Sequence, residues 1–161
     1  MQKYKFKQVN IRLKLSQAKP LYSTEPISTA QNAVEMMAGY LYQMDREYCC
    51  VINLDASNHP INWHIISIGD TTYAVTPMQN LFKTAILSNA VSIIIMHNHT
   101  GGSMIPSKED IEVTKRAIEA GKLMNIPLLD HIIVAGYTKD KSYSIRENMS
   151  NLWDVGKHIV R

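Results

Sequence analysis

The chain has 161 residues, of which 45% are hydrophobic and 19% are charged. This length is enough for one domain with a sizeable core, and the composition excludes an intrinsically disordered chain. No apolar run approaches the roughly 18 residues of a membrane span, and the N-terminus lacks the apolar core of a signal peptide. We therefore expect a cytoplasmic protein with no membrane contact.

Positive charge is concentrated near the N-terminus. Residues 1–22 contain six lysines and arginines and no acidic residue, whereas the whole chain has a net charge of only +3. A basic segment of this kind can bind nucleic acid or an acidic partner. Lysines that protect a solvent-exposed sheet edge give the same pattern, so both interpretations stay open from the residues alone.

The two cysteines, Cys49 and Cys50, are adjacent in the sequence. Neighbouring residues in a strand point to opposite faces, so a disulfide between them is not expected. The pair is more typical of two buried thiols within one strand.

The apolar pattern of the first half predicts an extended segment over residues 3–15 and a helix over residues 29–44, capped by Ser28 or Thr29. It also predicts a hairpin whose two strands cover residues 48–54 and 61–68. A second helix is then expected to begin at Thr76-Pro77. In this interpretation Thr76 is the N-cap and Pro77 occupies the first helical position.

The second half begins with VSIIIM, residues 91–96, an almost wholly apolar run that predicts a central strand covered on both faces. A loop over residues 100–106 precedes a helix that is expected to start at Ser107 and to stop at Gly121. Two more strands are predicted over residues 128–135 and 143–145, and a helical tail is predicted over residues 147–161. This order of elements indicates a mixed α/β fold, with helices packed around a central sheet.

The segment HNHTGGSMIPSKED, residues 97–110, carries the clearest chemical signal. His97 and His99 point the same way at the end of a strand, where open sheets tend to bind ligands. Asp110 lies in the first turn of the next helix, and the loop is short enough to bring its carboxylate to the imidazoles. His-X-His and Ser-X-X-Asp are each common in ordinary structure, but their joint spacing suits a zinc ion with one open coordination place.

This segment and the later DHIIV, residues 130–134, resemble the JAMM (MPN+) metallopeptidases, and more closely their RadC-like branch. The resemblance covers about residues 28–145. It implies a JAMM/MPN-type fold, an α-β-α sandwich of the cytidine-deaminase-like kind with a mixed sheet and flanking helices. The chain then divides into three parts. Residues 1–27 form a basic N-terminal arm, residues 28–145 form a RadC-like JAB/MPN+ domain, and residues 146–161 form a C-terminal tail packed on that domain.

The resemblance also implies roles for particular residues. His97, His99 and Asp110 match the family's zinc ligands, and Ser107 matches the serine beside the bound water. The family carries an acid just before a strand, and Glu47 in MDREYCCVINLD matches that acid. Without the resemblance, Glu47 would be interpreted as a surface charge.

Other polar residues are assigned less directly. The ligand imidazoles need partners that fix their tautomers, and Asp130 and His131 are candidates for that role. His59 lies in a predicted turn and His64 on the opposite face of its strand from Ile61, Trp63 and Ile65, so neither is expected to bind metal.

The function implied is zinc-dependent hydrolysis of an amide or isopeptide bond in a protein or peptide, with Glu47 as general base. Ser107 or a backbone N–H beside it would stabilise the oxyanion. Two alternatives stay open: a non-catalytic metal-binding module, and a DNA-associated accessory protein connected with DNA repair or mobile elements. A zinc nucleoside deaminase is set aside because its Pro-Cys-X-X-Cys motif is absent. Thr100-Gly101 stands where the family usually has Pro-Ser, so substrate choice is not carried over.

Overall fold

The computed structural model describes residues 25–69, 76–135 and 141–154. In chain order the elements are α1 (Ala30–Leu41), β1 (Tyr48–Leu54), β2 (Pro60–Ile68), α2 (Met78–Leu87), β3 (Ser92–His99), α3 (Lys108–Met124), β4 (Leu128–Ala135), β5 (Ser142–Ser144), α4 (Ile145–Asn148) and a short 3₁₀ helix (Ser150–Asp154). The extended segment expected at residues 3–15, and with it most of the basic arm, lies outside the described residues. Its proposed contact with nucleic acid stays a prediction, as does the division into arm, domain and tail.

A mixed sheet with strand order β2-β1-β3-β4-β5 forms the centre of the fold. Strands β3 and β4 are parallel and are joined through α3, while the other neighbouring strands are antiparallel. Because β3 is the middle strand, its residues from Ser92 to Asn98 are all buried. The predicted mixed α/β class and the predicted central strand are both confirmed, and the strand extends far enough to include both histidines.

The core has two parts, one on each face of the sheet. On one face α1 packs against a cluster that includes Cys50, Ile52 and Met96. On the other face α2, α3 and the C-terminal elements cover a cluster that includes Cys49 and Ile95. The adjacent cysteines are therefore buried on opposite faces and unpaired, as their positions in one strand predict. Among the helices within the described ranges, none is both long and apolar enough to span a lipid bilayer.

The start of α2 differs from the prediction. Helix α2 begins at Met78, and Pro77 stands at the N-cap in an extended conformation with φ −64° and ψ 125°. Thr76 is buried but precedes the cap, and no side chain caps this helix. The Thr-Pro pair predicted a cap because proline fixes only φ at a helical value; the ψ angle, which decides whether the helix has begun, remained free to be extended.

Helix α3 continues past its predicted end at Gly121. It ends at Met124, where Asn125 adopts the left-handed conformation with φ +54°. The Gly121 carbonyl accepts a hydrogen bond from the Ile126 N–H over 2.9 Å, which turns the chain into β4. A Cβ atom on Gly121 would lie 2.7 Å from the Ile126 carbonyl oxygen. Glycine is thus needed at residue 121 for a close backbone approach rather than for ending the helix.

Gly121→Ala should destabilise the protein by about 1–3 kcal/mol, because the new methyl group meets backbone that cannot move independently. Gly39→Ala is the matched control: Gly39 lies within helix α1, and a Cβ there would meet nothing within 4 Å. That change should stabilise the protein by roughly 0.5–1 kcal/mol through the lower entropy of the unfolded chain. Urea denaturation measures both effects, and equal stabilities for the two variants would contradict the close approach at Gly121.

Candidate metal centre

The two histidines of β3 lie at the edge of the sheet where β1 and β4 flank them. His97 is paired with Cys49 of β1 on one side and with Ile133 of β4 on the other. Alternation along the strand puts His97 and His99 on the same face, which is the face covered by α3. His97 is 2% exposed and His99 is half-buried. The strand therefore presents one imidazole inside the protein and one at its surface.

A turn after β3 carries the chain from the histidines to α3. Gly102 adopts φ +75°, which favours glycine, and its N–H donates to the His99 carbonyl over 3.2 Å. The Ser103 carbonyl returns to lie 3.0 Å from His99 Nδ1. Since a carbonyl only accepts, His99 carries its proton on Nδ1 and its Nε2 is unprotonated when the ring is neutral.

The first turn of α3 holds Asp110 against the histidines. Ser107 is the N-cap, and its hydroxyl oxygen accepts from the Asp110 N–H. Asp110 Oδ2 in turn accepts from the Ser107 N–H over 2.8 Å and from the Ser107 hydroxyl over 2.6 Å. This reciprocal capping box fixes the carboxylate at the positive end of the helix. Oδ2 is thereby tied to Ser107, while Oδ1 is free of the cap.

The three predicted ligands converge. His97 Nε2 lies 3.2 Å from Asp110 Oδ1, and His99 Nε2 lies 3.4 Å from Asp110 Oδ2. The two Nε2 atoms are 2.9 Å apart. Taken together, the ligand atoms of His97, His99 and Asp110 lie within 4.8 Å of one another, so this cluster could hold a metal ion.

A chain of buried hydrogen bonds sets the tautomer of His97. Thr114 donates its hydroxyl proton to the Asp110 carbonyl over 2.6 Å, so its oxygen must accept from His131 Nδ1, 2.7 Å away. His131 then has an unprotonated Nε2, which accepts from His97 Nδ1 over 2.9 Å. Neutral His97 is left with a free lone pair on Nε2. The protein's own hydrogen bonds thus prepare the nitrogen that faces Asp110 for metal binding.

The donor set fits a cation. The Nε2 lone pairs of neutral His97 and His99 face each other at 2.9 Å beside a carboxylate. Such an arrangement is repulsive unless a positive charge lies among the three groups, and a metal ion satisfies all of them at once. A thiolate site does not form here, because burial and its neighbours raise the pKa of the Cys49 thiol.

The pKa of Asp110 is lowered by its neighbours. Burial alone would raise this pKa, but the contacts with His97 and His99, which act on the carboxylate when a ring carries a proton, and the hydrogen bond from Ser107 outweigh burial and hold the pKa well below the usual range. The pKa of His99 is raised, first by its hydrogen bond to Asp110. Burial, followed by the charge of His97, lowers the pKa of His131, which keeps that ring neutral within the hydrogen-bond chain.

Glu47 lies close enough to act on the cluster. It directly precedes β1 and is half-buried, and its negative charge is one of the smaller contributions that raise the pKa of His99. The Glu47 carbonyl accepts from the Gly69 N–H over 2.9 Å, so its backbone is held against the end of β2. The charge of the acid expected upstream thus acts on the outer histidine.

The other polar residues considered from the sequence differ in whether they contact the histidine–aspartate cluster. His131 contacts His97, whereas Asp130 accepts from Ser144 and from the backbone of Arg146 and takes no part in the cluster. Outside the cluster, His59 pairs with Asp55 in the hairpin turn, and His64 is exposed on β2. Thr114 was missed from the sequence; its only signal is its position one helical turn after Asp110.

Fold and site together define a mixed α/β domain whose central strand ends in a His-X-His pair beside an aspartate from a helix N-terminus. Residues 27–150 match the family model described as the RadC-like JAB domain. The chain belongs to this RadC-like JAB domain family.

Two relatives illustrate how much of the family's length is present. The chain is 44% identical over 102 residues to a UPF0758 protein of Syntrophomonas wolfei, a match covering 63% of this chain and 42% of the relative. It is 36% identical over 142 residues to a UPF0758 protein of Finegoldia magna, a match covering 88% of this chain and 61% of the relative. The chain thus spans about half the length of the curated relatives it matches.

Replacing Thr114 tests the tautomer chain. Thr114→Val keeps the shape but leaves the Nδ1 proton of His131 without an acceptor, which favours the other tautomer of His131. His97 must then move its own proton to Nε2, the atom that faces Asp110. Zinc affinity, measured by competition with a chromophoric chelator, should fall about 10–100-fold, while Thr114→Ser, which keeps the hydroxyl, should stay near wild type. Equal affinities for the two variants would show that Thr114 does not set the tautomer.

Proposed function

We propose that this domain is a zinc-dependent hydrolase that cleaves an amide or isopeptide bond in a protein or peptide. The observation that supports this function is the convergence of His97, His99 and Asp110 within 4.8 Å. Two neutral imidazoles and one carboxylate make up a three-ligand zinc site with a place left open for reaction, which distinguishes catalytic from structural zinc sites. A bound zinc ion would polarise a carbonyl and make a water acidic enough to react near neutral pH.

Glu47 is the general base in this proposal. Its carboxylate accepts a proton from the attacking water and later delivers that proton to the leaving amine. Its position supports the role in two ways. It is half-buried directly before β1, and its charge acts on His99, the more exposed of the two imidazoles.

Ser107 contributes through Asp110 and through the helix it caps. Its hydroxyl donates to Asp110 Oδ2 over 2.6 Å, so a direct bond from this hydroxyl to the oxyanion requires the hydroxyl to turn away from Asp110. The next N–H groups of the first turn, those of Lys108 and Glu109, have no acceptor within the helix. These backbone groups are the better oxyanion donors, because the helix N-terminus favours negative charge.

The main rival is a metal-binding module that cleaves nothing. Family membership does not decide between the two, because one fold can serve many functions. The presence of an acid beside the ligands favours hydrolysis, since a purely structural site needs four protein ligands and no base.

Metal analysis tests the ligands first. Purified protein should contain about one zinc ion per chain, and His97→Ala or Asp110→Asn should lose it. His64→Ala is the control, because His64 is an exposed histidine of β2 outside the cluster. Full zinc content in the His97→Ala protein would overturn the ligand assignment.

Activity is then measured with a library of quenched fluorogenic peptides and isopeptide-linked conjugates. Glu47→Gln should keep its zinc and lose the base, lowering kcat by roughly 10²–10⁴-fold. Glu35→Gln, an exposed acid on α1, is the control and should leave the rate unchanged. Zinc binding with no cleavage of any library member would support the non-catalytic module instead.

A further inference from the structure

Asn98, the residue between the two site histidines, is fully buried. Alternation along β3 places its side chain on the opposite face from His97 and His99, so it is not directed at the metal cluster. Its carboxamide instead reaches across to the start of β1. Oδ1 accepts from the Tyr48 N–H over 2.8 Å, and Nδ2 donates to the Arg46 carbonyl over 3.0 Å.

These two bonds lie on either side of Glu47. The backbone pairing between β1 and β3 has its last pair at Cys49 and His97. Beyond that pair the Asn98 carboxamide offers one donor and one acceptor, the same groups that a peptide unit of a neighbouring strand would offer. The side chain therefore continues the sheet by one step, just where the chain carries Glu47.

Glu47 is held from the other side as well. Its carbonyl accepts from the Gly69 N–H, which follows the last residue of β2. The backbone of Glu47 is thus fixed between Asn98 on the β3 side and Gly69 on the β2 side. Since His97 and Asn98 are consecutive residues of β3, the position of the Glu47 backbone depends directly on that of the proposed metal ligands.

We propose that Asn98 is a positioning residue, which sets where the Glu47 carboxylate stands relative to His97 and His99. The proposal rests on the function proposed above, in which Glu47 is the base. Only a carboxamide of this length supplies the required donor and acceptor together. Aspartate has the same shape but no donor for the Arg46 carbonyl, and serine is too short to reach both partners.

The test compares Asn98→Asp with Asn53→Asp in the zinc-loaded, full-length chain. Asn53 is the matched control because it is also a fully buried asparagine of the same sheet, and its amide bonds Asn62 and Thr84 rather than the segment around Glu47. Both changes place a carboxylate in the sheet, so a general loss of stability affects both. Asn98→Ser and Asn53→Ser form a second, uncharged pair in case the aspartates fail to fold.

The expected result has two parts that need no substrate. Zinc affinity of Asn98→Ser, which adds no charge, should remain within about twofold of wild type, because the ligands and their hydrogen-bond chain are not touched. In Asn98→Ser, hydrogen exchange at the Tyr48 amide should become roughly fivefold to tenfold faster, as expected for one lost hydrogen bond, and it should be unaffected by Asn53→Ser. Asn98→Asp keeps an acceptor for this amide and loses only the bond to the Arg46 carbonyl. Unchanged exchange at Tyr48 in Asn98→Ser would overturn the proposal.

A third measurement tests activity. Its substrate is the fluorogenic peptide or isopeptide-linked conjugate that the wild-type protein cleaves fastest. Asn98→Asp should lower kcat about a hundredfold with little change in KM, the size of effect expected when a catalytic group is displaced by about 1 Å. In the Glu47→Gln background the same change should have no further effect, because Asn98 acts through Glu47. A wild-type kcat in Asn98→Asp, or an equal loss in both backgrounds, would overturn the positioning role.

The two hypotheses fail in different ways. If wild type cleaves nothing, the proposed hydrolysis fails, and the exchange experiment still decides whether Asn98 holds the segment around Glu47. If wild type is active and Glu47→Gln is not, but Asn98→Asp matches wild type, the positioning role alone is wrong.

Discussion

Two imidazole nitrogens that carry lone pairs face each other across 2.9 Å at the end of the central strand, beside a buried carboxylate. Burying such groups is costly unless each has a partner. The structure supplies those partners from three directions: His131 behind His97, the Ser103 carbonyl behind His99, and Ser107 beneath Asp110. His131 and the Ser103 carbonyl each bond the far nitrogen of their imidazole and leave the near nitrogen free, while Ser107 holds Asp110 Oδ2. The need for a cation is therefore built into the hydrogen bonds of the fold.

Asp110 shows how closely fold and site are joined. Its carboxylate completes the capping box of α3 and at the same time faces both histidines. The contacts with His97, His99 and Ser107 hold the pKa of this carboxyl well below its usual range against the effect of burial, and the cap fixes its direction. Losing this residue would therefore weaken the start of α3 as well as remove a ligand. Asparagine at this position would keep much of the cap and remove the charge, which separates the two contributions.

Much of this arrangement could be predicted from local sequence. The two-residue period of a strand places His97 and His99 on one face, and Ser-X-X-Asp marks the start of a helix. Strands β1 and β4 lie where the apolar runs place them. Predictions from local patterns are wrong at two positions, where the backbone conformation of the residues that follow determines the structure. Gly121 looks like a helix stop, but it is a close contact with the Ile126 carbonyl. Thr76 looks like a cap, but the chain is still extended at Pro77.

The supporting residues were hardest to predict, because they depend on pairing between strands that are far apart in sequence. His131 meets His97 only because β4 runs parallel to β3 after the α3 crossover, and Asn98 meets the segment around Glu47 across 50 residues. Parallel pairing through a helix brings the ends of two strands to the same edge, and antiparallel pairing adds the start of β1 there. Sequence patterns identify the groups that touch a metal, whereas sheet topology determines which groups orient them.

A proton also satisfies the two imidazole lone pairs, which lie 2.9 Å apart. The hydrogen bond of His99 to Asp110 is the largest of the causes that raise its pKa, so the outer ring is the one that takes this proton. A metal entering the cluster must displace the proton from His99, and metal and proton therefore compete for the same lone pair. Since His99 is also the most exposed of the three residues, this exchange takes place at the outer edge of the cluster.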